Sequence, residues 1–172
     1  MTRVRHLVAR FFGSLRARPL GDADRALVRT TLDQEEFGCW ERLGRADRAE
    51  SVATARAAIA QLGPEPESRW IAAALLHDVG KAETALGPYR RAAATVVATM
   101  AGSRRARGWQ GGIGRYVNHD VLGAAGLEAA GARREAVEWA AVHHRPELWA
   151  STSIPPEICR ILAAADGEPL QE

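Results

Sequence analysis

The 172-residue chain has little of what would staple, anchor or strongly charge it. It carries two cysteines, Cys39 and Cys159, which give neither a disulfide framework nor a paired-thiolate metal spacing. A reducing compartment follows, and a cytoplasmic location is the expectation. No apolar run approaches the roughly 18 residues that a membrane-spanning helix needs. No stretch reads convincingly as a strand, so helical spacing has to organise the chain. A net charge of +2 does not argue for nucleic acid. The sharpest scarcity is lysine. Of 23 basic residues, 22 are arginine and one is lysine, Lys81. The arginine, alanine and glycine bias of a GC-rich coding sequence explains why lysine is avoided. It does not explain the exception.

What is present is the composition of a globular protein, 47% hydrophobic and 26% charged, and long enough for one domain with its own core. Apolar residues recur at helical spacing, as in Val52, Ala55, Ile59 and Leu62. Helices are predicted over 3–16, 22–31, 33–43, 46–62, 66–78, 86–101, 119–130, 133–144 and 155–166, an all-α reading. Breaks fall at Pro19-Leu-Gly21, Gly63-Pro64, Gly87-Pro88, Gly131 and Pro155-Pro156, with Asp22, Asp33 and Ser151 as caps or turn formers. The segment AGSRRARGWQGGIGR, 101–115, reads as a long basic loop. Near the start, Val4, Leu7, Val8, Phe11, Phe12 and Leu15 share a helical face beside Arg3, Arg5, Arg10, Arg16 and Arg18. His6 and Arg10 interrupt any signal-peptide core. This helix either binds a membrane surface or partner or packs on the domain.

One stretch poses a chemical problem. Seven apolar residues, Trp70 to Leu76, run directly into His77, Asp78, Val79, Gly80 and Lys81. A carboxylate carried into a core needs a partner, since burying it alone costs several kcal/mol. Candidate partners lie downstream. His119 opens NHDVLGAAGLEAAG, His143 and His144 close EAVEWAAVHH, and Asp166 ends ICRILAAADG. Taken singly, each histidine reads as a cap or a satisfied core residue. Together, imidazoles and carboxylates at the ends of several apolar helices suit Zn, Mn, Fe or Ni.

The motifs AALLHDVGK, NHDVLGA, AVHHRPE and ILAAADG, in this order, resemble the HD-domain metal-dependent phosphohydrolase superfamily over roughly residues 45–168. The upstream LDQEEFGCWERLGRADRAESVATA resembles the lead-in of actinobacterial members. The resemblance implies an all-α helical bundle with a central metal site, preceded by a helical extension, 1–44, that packs on the domain at 45–172. It implies that His77, Asp78 and Asp166 hold one divalent ion. Asp78 would bridge to a second, held by His119 and His143, with His144 as ligand or support. One or two ions of Fe, Mn, Mg, Zn or Ni fit this donor set.

One position departs from the family. Its pattern R-x-H-S-x-x-x-A appears here as RAESVATA, which puts Glu50 where a histidine is usual. Glu50 either ligates a hard ion or is a solvated helix residue.

The implied activity is hydrolysis of a phosphate ester or anhydride, with a nucleotide or related small molecule as substrate. Asp78 and Lys81 would carry the chemistry. Lys81, Arg90, Arg91, Arg104, Arg105 and Arg107 are candidates to bind phosphate, and Trp109 and Tyr116 to stack on a base or pack in the core. No specific nucleic-acid partner is implied. Two alternatives share the scaffold: a di-iron oxygenase and a non-catalytic binding or scaffold protein.

Overall fold

A computed structural model of the chain describes residues 19–84, 108, 109 and 111–167. Among them are α1 (Asp22–Thr31), α2 (Gln34–Glu41), α3 (Arg45–Leu62), α4 (Ser68–Leu76), α5 (Gly111–Val117), α6 (His119–Ala129), α7 (Arg134–Val142) and α8 (Pro156–Ala165). Short 3-10 helices follow α4 at Val79–Thr84 and α7 at Pro146–Ser151. There is no strand among the described residues, so the fold is all-α. None of these helices is long and apolar enough to cross a membrane. The amphipathic 3–16 and the predicted helix at 86–101 lie outside the described residues.

The apolar run becomes the axis of the bundle. Trp70 to Leu76 are all buried, and α4 is touched by α1, α2, α3, α7 and α8. A helix surrounded in this way is apolar on every side rather than along one stripe. Its middle is Ala72, Ala73 and Ala74, each fully buried, and small residues there let neighbouring helices approach closely. Ala55 and Ala58 of α3 and Ala136 and Ala140 of α7 are likewise fully buried. Each fully buried leucine, valine or isoleucine in this core contributes about 1.5–3 kcal/mol. The chemical result is positional: His77, the residue after α4, emerges buried among the helices.

The helices before residue 45 pack on this core, α1 and α2 against α4, and α2 also against α6. A buried ion pair fastens them. Glu36 of α2 is fully buried and accepts from Arg133 Nε at 2.6 Å, Nη2 at 2.7 Å and the Arg133 backbone N–H at 3.1 Å. Arg133 Nη2 also donates to the Thr31 carbonyl at 3.0 Å.

Several local expectations need correction. Asp22 is not the first cap: Gly21 is, and its N–H donates to Asp24 Oδ2 at 3.1 Å. Asp33 does cap α2, accepting from Glu36 N–H at 2.8 Å. Ser151 closes a 3-10 helix instead of opening the next α-helix, its hydroxyl donating to the Leu148 carbonyl at 2.6 Å. The described end of the expected 101–115 loop is helical from Gly111. Local propensity opposes a helix in GGIGRYV, since each glycine costs about 1 kcal/mol relative to alanine. Packing decides it. A Cβ on Gly114 would lie 1.7 Å from the Trp109 carbonyl oxygen, so only glycine lets this turn close on itself.

Candidate metal centre

The same local device presents three histidines. His77 and His143 are the C-caps of α4 and α7, and His119 is the first residue of α6. In each, Nδ1 lies against the carbonyl three residues earlier: Ala74 at 2.9 Å, Tyr116 at 2.7 Å and Ala140 at 2.9 Å. A carbonyl oxygen only accepts, so each Nδ1 carries a proton and donates it. Each Nε2 then turns inward. Such a backbone bond fixes ring orientation and raises ligand basicity.

The inward atoms converge on Asp78. His119 Nε2 lies 3.0 Å and His143 Nε2 3.8 Å from Asp78 Oδ1. His77 Nε2 lies 3.2 Å from Asp78 Oδ2 and 3.3 Å from Asp166 Oδ1. Asp166, the C-cap of α8, thus reaches the same place from a fourth helix. His144 is exposed at the rim, its ring 3.9 Å from that of His143 and 5.3 Å from that of His119. Asp78, His119, His143 and His144 each offer a ligand atom, all within 4.8 Å of one another.

Whether these residues fit an ion is decided by their unmet bonds. His77 Nε2, His119 Nε2, His143 Nε2 and Asp78 Oδ1 are buried and have no hydrogen-bond partner. At His119 and His143, whose Nδ1 atoms hold the proton, Nε2 lone pairs face the Asp78 Oδ1 lone pairs, an arrangement that costs free energy unless a cation is shared among them. Imidazole nitrogens with a carboxylate are the donor set of a divalent transition metal. The residues fit.

The charge on the protein side is uneven. Burial pulls the His77 imidazole down, but Asp78 and Asp166 outweigh it and hold its pKa well above the usual value. Burial pulls His143 down as well, and nearby His144 and His77 push the same way, so it stays well below the usual value. Burial would raise Asp78. The Lys81 ammonium and then His77 overcome it and keep the carboxyl well below the usual range. Lys81 is raised despite burial, by Asp78, Glu50 and Tyr116.

Glu50, on α3, faces this centre through Lys81: its Oε2 is 3.8 Å from Lys81 Nζ, which also donates to Asp78 Oδ2. Tyr116 stacks on His119 at 5.9 Å, while Trp109 supplies the carbonyl against which Gly114 packs. Arg90, Arg91, Arg104, Arg105 and Arg107 lie outside the described residues.

Two features escaped the sequence reading. Asp120 is fully buried with Arg145 Nε 3.7 Å from its Oδ2, a pair formed by the residues after His119 and after His144. The available signal was a charged residue directly following each histidine. The second is a backbone crossing. A Cβ on Gly80 would meet the His119 carbonyl oxygen at 1.9 Å and Gly123 N at 2.6 Å. Glycines at 80 and 123 therefore let the 3-10 helix after Asp78 lie directly on α6, which brings His119 to Asp78.

The result is an all-α bundle whose central helix ends in His-Asp, joined there by histidines and an aspartate from three further helices in a cluster that could hold a metal ion. Residues 45–168 match the protein-family profile described as HD domain, and the chain belongs to that family. No curated protein and no solved structure matches the chain significantly.

Proposed function

We propose that the protein is a metal-dependent phosphohydrolase acting on a phosphate ester or anhydride of a small molecule, a nucleotide or related compound. The observation that supports this most is the set of buried, unpartnered acceptor atoms around Asp78 in an HD-domain chain. A divalent ion held there by Asp78 and the histidines would supply a Lewis acid that activates water and polarises a phosphoryl oxygen. The chain's own residues do the rest. Backbone carbonyls lock His77, His119 and His143 in one orientation, so no reorganisation is needed when charge develops. Asp78, held ionised, turns its unpartnered Oδ1 toward the histidines. His144 marks the solvent side from which a substrate enters. Lys81 places a positive charge beside the reacting group, set by its carboxylate partners.

Phosphate release from a panel of nucleotides, sugar phosphates and dinucleoside polyphosphates, with added Mn2+ or Fe2+, tests the reading. Turnover abolished by chelation and by Asp78→Ala supports it. A fully metal-loaded protein that hydrolyses none of the panel contradicts it. That outcome would favour a second reading, a non-catalytic HD-fold binding protein, to which the engagement of Lys81 by Asp78 and Glu50 also lends support.

A further inference from the structure

The two oxygens of Asp78 have different surroundings. Oδ1 is buried without a hydrogen-bond donor and faces Nε2 of His119 and of His143 at 3.0 and 3.8 Å. Both nitrogens are themselves buried and unpartnered, and the Nδ1 of each ring is committed to a backbone carbonyl. With His144, these atoms form the group whose members all lie within 4.8 Å. A carboxylate oxygen and imidazole nitrogens are the donor atoms a divalent transition metal takes.

Oδ2 already has a cation. It accepts a hydrogen bond from the Lys81 ammonium, whose second carboxylate neighbour is Glu50 at 3.8 Å. Lys81 is held close to Asp78. Its side chain is 13% exposed, its N–H donates to the Asp78 carbonyl at 2.9 Å, and its carbonyl accepts from Thr84 Oγ1 at 2.8 Å. A divalent ion entering on this side would compete for the same carboxylate lone pairs and meet a fixed like charge in a low-dielectric setting.

We propose that Lys81 fills the Oδ2 side as a built-in cation, so that the centre takes one divalent ion, on the Oδ1 side, held by Asp78, His119, His143 and His144. This rests on the metal-centre reading above and deepens it, giving the ion's number and place. Glu50 is then the counter-ion of Lys81 and not a metal ligand. His77 Nε2 lies on the Oδ2 side, between Asp78 Oδ2 at 3.2 Å and Asp166 Oδ1 at 3.3 Å. The chain's lone lysine also acquires a reason. A compact ammonium with three rotatable donors can sit between two carboxylates where a planar guanidinium would demand a wider gap.

The test counts ions. Protein stripped of metal is loaded with Mn2+, desalted, and measured for manganese per chain and by electron paramagnetic resonance. Wild type should hold one equivalent with the spectrum of an isolated ion, and Lys81→Met should hold two with the spectrum of a coupled pair. His143→Ala should lose the ion, whereas Asp166→Asn should keep it. Two equivalents in wild type would overturn the proposal. So would one equivalent in a folded Lys81→Met, or manganese retained by His143→Ala and lost by Asp166→Asn. No manganese in wild type would remove the metal-centre reading itself, so the two failures are told apart. The wild-type spectrum decides the count even if Lys81→Met does not fold.

Discussion

Burial pulls the pKa of both His77 and His143 down, yet only His143 ends below the usual 6.5. The difference is charge: His77 faces Asp78 and Asp166, whereas His143 faces mainly other imidazoles. This has a consequence for the metal-free protein. His77 stabilises the fold fully below pH 6.5 and loses that contribution as pH rises through its higher folded pKa. His143 destabilises once pH falls below 6.5, because the unfolded chain then binds a proton that the folded chain resists. Asp78 adds a further loss as pH falls below 3.8 toward its depressed folded pKa. Metal-free protein should therefore have its highest Tm near pH 6.5, with His77→Gln flattening the alkaline limb and His143→Gln the limb just below the maximum. A wild-type Tm that climbs as pH rises above 6.5 would contradict this balance of forces. At this scale the sequence was informative about which residues matter, because ionisable groups at the ends of apolar runs have few stable uses. It was silent on which of them carry charge, since that depends on neighbours brought from other helices.

Among elements, the crossing of the 3-10 helix Val79–Thr84 over α6 governs the centre's geometry. Gly80 and Gly123 touch backbone to backbone, and there is no flexible side chain to yield. Gly80→Ala must push the two elements apart, at a cost of about 1–3 kcal/mol or more for such overpacking. It should also draw His119 away from Asp78, lowering both Tm and metal affinity, the latter at least tenfold. Gly126→Ala, on the same helix but with its nearest neighbour 3.9 Å away at Arg42 Nη2, is the matched control. It should leave metal affinity unchanged and hold or raise Tm, as alanine does in a helix. Calorimetric Tm and Mn2+ titration of the two variants check this, and equal metal affinity in both would refute the role assigned to the crossing. The long helices were legible because periodicity marks a buried face. The helix at Gly111–Val117 was not, because its glycines argue against it locally and its support is tertiary, from the Val79–Thr84 3-10 helix, α6 and Trp109. The Gly80–Gly123 contact was hidden for a related reason: no sequence pattern announces which two glycines will meet.

For the whole molecule, the design is a buried axis that ends in a cluster of histidines and aspartates. Residues 70–76 supply the apolar helix around which others gather, and His77 and Asp78 follow it into the middle, where His119, His143 and Asp166 arrive from α6, α7 and α8. The family and the all-α class were readable from four motifs and their order, and residues 45–168 match the HD domain. The fastening of α2 to the core was not readable, because Glu36 and Arg133 are 97 residues apart and resemble ordinary surface charges in the sequence. Breaking so buried a pair costs about 3–5 kcal/mol, so it belongs to stability and not to the site. The cluster around Asp78 has the donor atoms to hold a divalent ion. Metal analysis of the full chain, purified without chelators or a histidine tag, beside a folded Asp78→Ala variant, tests it most directly. Wild type should hold about one equivalent of a divalent transition metal, and Asp78→Ala none. A wild-type protein that stays empty after dialysis against Mn2+, Fe2+ and Zn2+, or equal metal in both proteins, would contradict it.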